Sequence, residues 1–133
     1  MPEILIVEDD LAIRKMFARA LAALGNIDEA ANGLDAVKRL DSKKYDAILL
    51  DMHMAGLDGP GVLDDLENKK GLNQRTPVFV ITADPSVETR AQAIHRSRFY
   101  LQKPVKLQLL TTLVQGVLPN AGPPPSRPGT PRR

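Results

Sequence analysis

Four groups of polar residues in this chain have the side-chain types that bind metal ions and charged oxygen atoms. Three acids stand at residues 8–10, and Asp51, Thr82 and Lys103 each end or follow a run typical of a β-strand. Clustered carboxylates raise one another's pKa values, and a divalent cation relieves their repulsion. Hard oxygen ligands favour Mg²⁺. With an ammonium and a hydroxyl added, the set meets the requirements of phosphoryl transfer.

The runs around these residues predict the elements that position them. Apolar or β-branched segments predict strands at 3–8, 27–31, 46–52, 78–83 and 98–102. Helical periodicity and breaker residues predict helices at 11–24, 34–42 and 107–118, and from the Gly-Pro pair at 59–60 and the Asp-Pro pair at 84–85 onward. In the fourth helix we expect Val87, Ala91 and Ile94 to face the core.

Five strands that alternate with five helices are typical of an α/β protein with a parallel sheet and helices on both faces. In such sheets ligands bind beyond the carboxyl ends of the strands. The polar groups at 8–10, Asp51, Thr82 and Lys103 are therefore expected to meet at one edge of the sheet.

Composition limits the remaining function classes. The 133 residues suit a single domain, and the absence of cysteine excludes disulfides and thiolate metal sites. The N-terminus reads as mature cytoplasmic sequence, and no apolar run is long enough to span a membrane. The last fifteen residues carry three arginines and no acids, so the tail contributes +3 and the remaining residues are near −1. Direct nucleic-acid binding by the domain is therefore not expected. We predict a domain at 1–118 and a proline-rich disordered tail or linker at 119–133.

Four segments together resemble the receiver domain of two-component response regulators. They are ILIVEDD, LLDMHMAGLDG, VITAD and YLQKP, and the resemblance spans about residues 3–118. It implies a flavodoxin-like, doubly wound (βα)5 fold with a five-stranded parallel sheet in the order 2-1-3-4-5.

The resemblance also implies roles for individual residues. Asp51 would be the phosphoacceptor, attacking a phosphohistidine to form an acyl phosphate. Asp9, Asp51 and the main-chain carbonyl of His53 would bind Mg²⁺, and Asp10 would be the other acid of the pocket, acting directly or through water. From the residue types alone, Asp10 could equally be only a helix N-cap, and we expect Glu8 to contribute local charge more than direct metal ligation.

Three further residues complete the implied machinery. Thr82 would hydrogen-bond one phosphoryl oxygen, and Lys103 would pair with another. Tyr100 would turn inward when Thr82 moves toward the phosphate, although ordinary core packing is an open alternative. The peptide between Lys103 and Pro104 would be cis.

The implied partners are a sensor histidine kinase or phosphotransfer protein and a downstream protein target. The target would bind the face made by the fourth helix, fifth strand and fifth helix, and the domain would be a monomer or a phosphorylation-dependent dimer. Basic residues at 90, 96, 98 and 106 suggest an acidic partner on this face, although a solvated surface is the plainer interpretation, as it is for His95. Such a domain is no enzyme beyond catalysing its own phosphorylation and dephosphorylation.

Two alternatives remain open at this point. A phosphatase with an aspartyl nucleophile would need a second acid two residues after Asp51, where this chain has His53. A degenerate receiver would bind partners without phosphorylation.

Two departures from the family pattern stand out: Ala55 occupies a position where proline is common, and HRSRF precedes the last strand. The protein is expected to be either a stand-alone receiver or a fragment of a larger regulator or hybrid kinase.

Overall fold

The computed structural model describes residues 1–119 and shows a five-stranded parallel sheet between two layers of helices. The strands run in the order β2-β1-β3-β4-β5, which confirms the predicted fold and strand order. The elements, in chain order, are β1 (Glu3–Val7), α1 (Leu11–Leu21), β2 (Asn26–Ala30), α2 (Gly33–Ser42), β3 (Ala47–Leu50), α3 (Gly59–Asn68), β4 (Val78–Thr82), α4 (Val87–Ala93), β5 (Phe99–Gln102) and α5 (Leu107–Val117). The tail predicted at 119–133 falls almost entirely outside the described residues and stays a prediction.

The apolar strands are buried on both faces because each face is covered by helices. In β1, Leu5 and Val7 face the layer of α2, α3 and α4, while Ile4 and Ile6 face the layer of α1 and α5. Alternate residues of one strand thus belong to two different cores, as expected for a parallel sheet. The central strands β3 and β4 are buried along their whole length, which fixes the polar residues that follow them at the carboxyl edge.

The contacts of the edge strand β2 explain why its sequence shows only a weak strand pattern. Its register with β1 is parallel from Asn26 to Ala30, one residue earlier than predicted. Two of its residues are acids that bind cations of neighbouring helices: Asp28 pairs with Lys43, and Glu29 pairs with Arg14 and Lys15. An edge strand that is half covered by ion pairs cannot show a continuous apolar run.

The predicted inward face of α4 is wrong at Val87 and Ala91, whereas the third residue of the prediction, Ile94, is half-buried. Val87 is 76% exposed and Ala91 is exposed, whereas Thr89 and Ala93 are buried. Ser86 caps the helix by accepting the N–H of Thr89, so the helix begins at Val87 and turns the Thr89–Ala93 side toward the sheet. Apolar periodicity pointed to the wrong face because a polar residue, Thr89, is the one buried.

Two further observations bear on the predictions. The peptide between Lys103 and Pro104 is cis, as the resemblance implied. Within residues 1–119, no helix combines the length and the apolar character needed to cross a membrane.

Candidate functional site

Three carboxylates meet at the carboxyl edge of the sheet. Glu8 and Asp9 follow β1, and Asp51 follows the adjacent strand β3, whose main chain is joined to β1 by the hydrogen bond from Asp51 N to the Val7 carbonyl. One oxygen from each acid lies within 4.8 Å of the others. Glu8 and Asp51 are buried and Asp9 is exposed, so the group opens to solvent on one side.

Lys103 supplies the positive charge opposite these acids. Its Nζ lies 2.5 Å from Glu8 Oε1 and 3.7 Å from Asp51 Oδ2. The side chain reaches the acids from the end of β5, where the Lys103 N–H donates to the Thr82 carbonyl. One ammonium therefore faces three carboxylates, and the set keeps an excess of negative charge.

This excess changes how readily the acids ionise. Burial raises the pKa of Glu8, and the neighbouring Asp51 raises it further, while Lys103 acts in the opposite direction. Loss of water and the proximity of Glu8 raise the pKa of Asp9. Raised carboxylate pKa values at one point favour the binding of a proton or a divalent cation there. Three hard oxygen donors within bridging distance fit Mg²⁺ better than a soft metal.

Asp10 does not share this arrangement. Its Oδ1 accepts the Ile13 N–H at 2.9 Å and caps α1, and its own N–H donates to Glu8 Oε2 at 3.3 Å. The predicted N-cap is confirmed. Its metal-binding role stays a prediction, and the acid that the structure places beside Asp9 and Asp51 is Glu8, which the sequence argument ranked lower.

His53 lies at the rim of the group. Its main-chain N–H donates to Asp51 Oδ1 at 3.3 Å, while its imidazole, 60% exposed, turns away to Asp84, with 2.6 Å between Nε2 and Oδ2. Side-chain metal ligation was not expected of His53, and its ring instead joins the β3–α3 loop to the β4–α4 loop.

Asp84 is the centre of a polar network that the sequence argument missed. Its Oδ2 also accepts from the Thr89 hydroxyl at 2.7 Å, and its Oδ1 accepts from the Ser86 N–H at 2.8 Å. The Thr89 hydroxyl, the Ser86 N–H and the His53 ring hold the pKa of Asp84 well below its usual range. The Asp84 N–H in turn donates to Thr82 Oγ1 at 3.1 Å, so the network is attached to a predicted site residue.

Thr82 and Tyr100, the two predicted switch residues, lie on the neighbouring strands β4 and β5. Thr82 is fully buried at the end of β4. Tyr100 lies on β5 opposite Val80, with the Arg90 guanidinium 5.9 Å from its ring centroid. The Tyr100 hydroxyl is buried and has no hydrogen-bond partner among residues 1–119. Burial raises the pKa of Tyr100, and the charge of Asp84 adds to the effect.

Glycine residues allow the turn in the loop that follows Asp51. Gly56 has φ of +75°, a conformation that side chains with a Cβ rarely adopt. At Gly59 a Cβ would lie 2.5 Å from the Met52 Cα, so the start of α3 approaches the loop closely. Ala55 is exposed in this loop, and nothing in the structure explains why proline is absent there.

The basic residues of the α4 region do not form one free patch. Arg96 pairs with Asp64 and Glu67 of α3, and Arg90 lies over the Tyr100 ring. Exposed cations remain at Arg90, Arg98 and Lys106. The predicted docking of an acidic partner therefore has fewer available charges than the sequence suggested.

Comparisons with known proteins show the family of this chain. The sequence model of the response regulator receiver domain family matches residues 4–115. This chain belongs to that family, and its fold and strand order are those of the receiver domain.

The curated relatives that this chain matches are longer proteins. The transcriptional regulatory protein ZraR of Salmonella typhimurium is 32% identical over 87% of this chain and 26% of its own length. The response regulator MprA of Mycobacterium tuberculosis is 33% identical over 86% of this chain and 50% of its own length. The chain thus spans between a quarter and a half of the curated relatives it matches.

Solved structures show the same architecture. The receiver domain of the sensor histidine kinase PA1611 from Pseudomonas aeruginosa has a TM-score of 0.79 and 29% identity, with 87% of this chain and 96% of that chain covered. That structure holds a magnesium ion in its active-site cleft. A CheY-like receiver protein from Methanospirillum hungatei has a TM-score of 0.80 at 21% identity, covers 87% of this chain and 92% of that chain, and supports the fold.

Proposed function

We propose that this chain is a phosphoacceptor receiver that takes a phosphoryl group on Asp51 in the presence of Mg²⁺. The observation that supports the proposal most strongly is the meeting of Glu8, Asp9 and Asp51 with Lys103 at the carboxyl edge of the sheet. Family membership and the magnesium site of a related receiver support the same assignment.

The chemistry follows from the side chains present. A carboxylate oxygen of Asp51 attacks the phosphorus of a phosphohistidine, a P–O bond forms, and the P–N bond breaks with the electron pair leaving on the imidazole. Lys103 Nζ, 3.7 Å from Asp51, holds a positive charge beside the transferring oxygens. Asp9, Asp51 and Glu8, with the main-chain carbonyl of His53, would hold Mg²⁺, which when bound neutralises phosphoryl charge. Asp10 is assigned to the helix cap.

Hydrogen bonds around Thr82 offer a route from Asp51 to the output face. Thr82 Oγ1 now accepts a hydrogen bond from the Asp84 N–H. If the hydroxyl turns to donate to a phosphoryl oxygen, this hydrogen bond to Asp84 breaks. Asp84 holds both His53 and Thr89, so a shift of its turn reaches the N-terminus of α4. Tyr100, whose hydroxyl has no hydrogen-bond partner within the described residues 1–119, would then take a new position in the face made by α4, β5 and α5. This is a shift between two populated states.

An apolar groove beside the acids suits a helix that carries the phosphohistidine. It has a volume of about 500 Å³, and its lining is shared by α1 and the segment after β5. The lining residues are Ile13, Met16, Phe17, Ala83, Lys103, Pro104 and Val105. Because Lys103 belongs to both the groove and the acid group, a helix seated there brings its histidine to Asp51. The proposed occupant is a histidine kinase or phosphotransfer protein.

Incubation with acetyl phosphate tests the proposal without a partner. Wild type should gain one phosphoryl group with Mg²⁺ and none with a chelator, as measured by intact mass. Asp51→Asn should gain none. Equal labelling of wild type and Asp51→Asn would refute the assignment of Asp51.

The alternative of a true phosphatase is tested by turnover. No acid stands two residues after Asp51, where His53 lies, and the His53 ring is held by Asp84. With a generic phosphate ester we therefore expect no sustained release of phosphate over many enzyme equivalents. Continuous turnover would favour the phosphatase, while absence of labelling with intact Mg²⁺ binding would favour a receiver that acts without phosphorylation.

A further inference from the structure

Arg14 reaches from α1 back to the main chain that carries the acidic pair. Its Nη1 donates to the Glu8 carbonyl at 2.9 Å, and its Nε donates to Glu29 Oε1 at 2.9 Å. The side chain is only 13% exposed. A nearly buried guanidinium with two charge-assisted or main-chain contacts is held in one geometry.

These contacts fix the peptide at the start of the acidic group from both sides. The Glu8 N–H donates to the Ala30 carbonyl at 3.0 Å, and the Glu8 carbonyl accepts from Arg14. Ala30 and Glu29 both belong to β2, so Arg14 and the sheet edge anchor the same loop. The Glu8 carbonyl belongs to the peptide that joins Glu8 to Asp9, so a contact that holds it restrains the main chain from which both side chains project.

Glu29 is suited to act as the anchor for the guanidinium. Burial raises its pKa, but Lys15 and Arg14 more than reverse that effect, so the pKa of Glu29 lies below its usual range. The carboxylate is thus ionised at neutral pH and holds Arg14 by a charged contact.

We infer that Arg14 is a positioning residue for the metal-binding acids: by holding the Glu8 carbonyl against β2, it orients Glu8 and Asp9 toward Asp51. The inference rests on the proposed function, because it assumes that these acids bind Mg²⁺. It concerns a residue that contacts the main-chain carbonyl of Glu8 and forms no hydrogen bond with the carboxylate oxygens that would bind the metal.

Electrostatics alone predicts the opposite effect of removing Arg14 on Mg²⁺ binding, so the sign of the change distinguishes a positioning role from a charge effect. Arg14 is a cation near a group that binds a cation, so its removal would strengthen Mg²⁺ binding if charge were its only contribution. If Arg14 orients the acids, its removal weakens Mg²⁺ binding. Changes to residues that orient metal ligands commonly weaken metal binding by about 10-fold to 100-fold.

The test compares Arg14→Met with Lys15→Met in the full chain. Lys15 pairs with the same Glu29 at 2.9 Å, but it is 51% exposed and makes no contact with Glu8. We measure the Mg²⁺ dissociation constant of the unphosphorylated protein by NMR titration, well below the melting temperature of each variant. Arg14→Met should bind Mg²⁺ about 10-fold more weakly than wild type, and Lys15→Met should bind it as wild type does or slightly more tightly.

Further variants separate positioning from charge and from folding. The pair Arg14→Met with Glu29→Gln keeps the local net charge and should still show weakened Mg²⁺ binding. Should Arg14→Met fail to fold by circular dichroism, Arg14→Lys keeps the charge but cannot reach Glu8 and Glu29 together, and it should also bind Mg²⁺ more weakly. A purely structural role would lower the melting temperature and leave the dissociation constant unchanged.

The outcomes also distinguish this inference from the proposed function. If wild type binds Mg²⁺ and the folded Arg14 variants bind it equally or more tightly, the positioning role is overturned while the metal site stands. If wild type itself fails to bind Mg²⁺, both are overturned.

Discussion

Replacement of Lys103 by methionine tests how the acidic group is held together. Methionine is unbranched and only slightly shorter than lysine, and the variant removes the cation that pairs with Glu8 and Asp51 among residues 1–119, at 2.5 and 3.7 Å. At an effective dielectric constant of about 20, charges at these separations attract by about 7 and about 4.5 kcal/mol. Desolvation of the ammonium offsets several kcal/mol of that gain.

Protonation of Glu8 sets an upper limit on how much the free energy of unfolding falls in the Lys103→Met variant. A buried carboxylate without its cation can take up a proton, and at pH 7 this costs about 3.7 kcal/mol relative to an ordinary glutamate pKa of about 4.3. We therefore expect Lys103→Met to lower the free energy of unfolding by about 3 kcal/mol at neutral pH, the range found when one partner of a buried pair is removed. The melting temperature should fall by roughly 10 °C.

Mg²⁺ and pH should both reduce this loss. Mg²⁺ replaces the missing positive charge, so the difference between variant and wild type should shrink in excess Mg²⁺. The pKa of Glu8 is raised in the folded state, so ionisation of Glu8 opposes folding as the pH rises through that pKa. At about pH 5 the cost of protonating Glu8, which limits the loss of stability, falls to about 1 kcal/mol. The loss in the variant should therefore be smaller in mild acid than at neutral pH.

Urea unfolding followed by far-ultraviolet circular dichroism measures these differences, since the chain has no tryptophan. Lys106→Met is the matched control, because Lys106 is exposed and forms no side-chain hydrogen bond as the N-cap of α5. It should change stability by less than about 0.5 kcal/mol. A loss below about 1 kcal/mol in Lys103→Met, or a loss equal with and without Mg²⁺, would refute the reasoning.

Four further variants test separate parts of the site. Glu8→Gln should weaken Mg²⁺ binding by about 10-fold, whereas Asp10→Asn should leave it unchanged because asparagine also caps helices; the reverse result in the same titration would restore Asp10 as the metal acid. Asp84→Asn should lower the melting temperature at neutral pH. Because the pKa of Asp84 is lowered in the folded state, ionised Asp84 stabilises the fold above the unfolded pKa of about 3.9, and this stabilisation is lost as the pH falls through the folded pKa. The difference in melting temperature between variant and wild type should therefore shrink in acid. A difference that does not depend on pH would contradict this. Tyr100→Phe should leave the urea midpoint unchanged or raise it, since the buried hydroxyl has no partner among residues 1–119; a loss above about 1 kcal/mol would mean that the hydroxyl has a stabilising contact.

The sequence predicted the parts of the fold that depend on continuous apolar runs. β1, β3 and β4 carry these runs, and β3 and β4 are buried along their whole length. Their ends place Asp51 and Thr82 at one edge without any knowledge of distances. Alternation of strands and helices then leads to the parallel sheet, and the resemblance supplies its strand order.

The parts that the sequence could not predict depend on side-chain contacts. Glu8 and Asp10 flank Asp9 symmetrically in the sequence, and only the turn into α1 decides which of them faces Asp51. Thr89 is buried through its bond to Asp84, and apolar periodicity gives no sign of a polar residue on the inner face. Arg14 looks like an ordinary surface residue of a helix until its contacts with Glu8 and Glu29 are seen.

The most direct test of the central claim locates the phosphoryl group. Wild type is treated with acetyl phosphate and Mg²⁺, reduced with borohydride, which converts a phosphorylated aspartate to homoserine, and mapped by peptide mass spectrometry. We predict homoserine at position 51 and only there, dependent on Mg²⁺. Homoserine at another acid, or none at position 51 under conditions in which the protein binds Mg²⁺, would contradict the assignment of Asp51 as the phosphoacceptor.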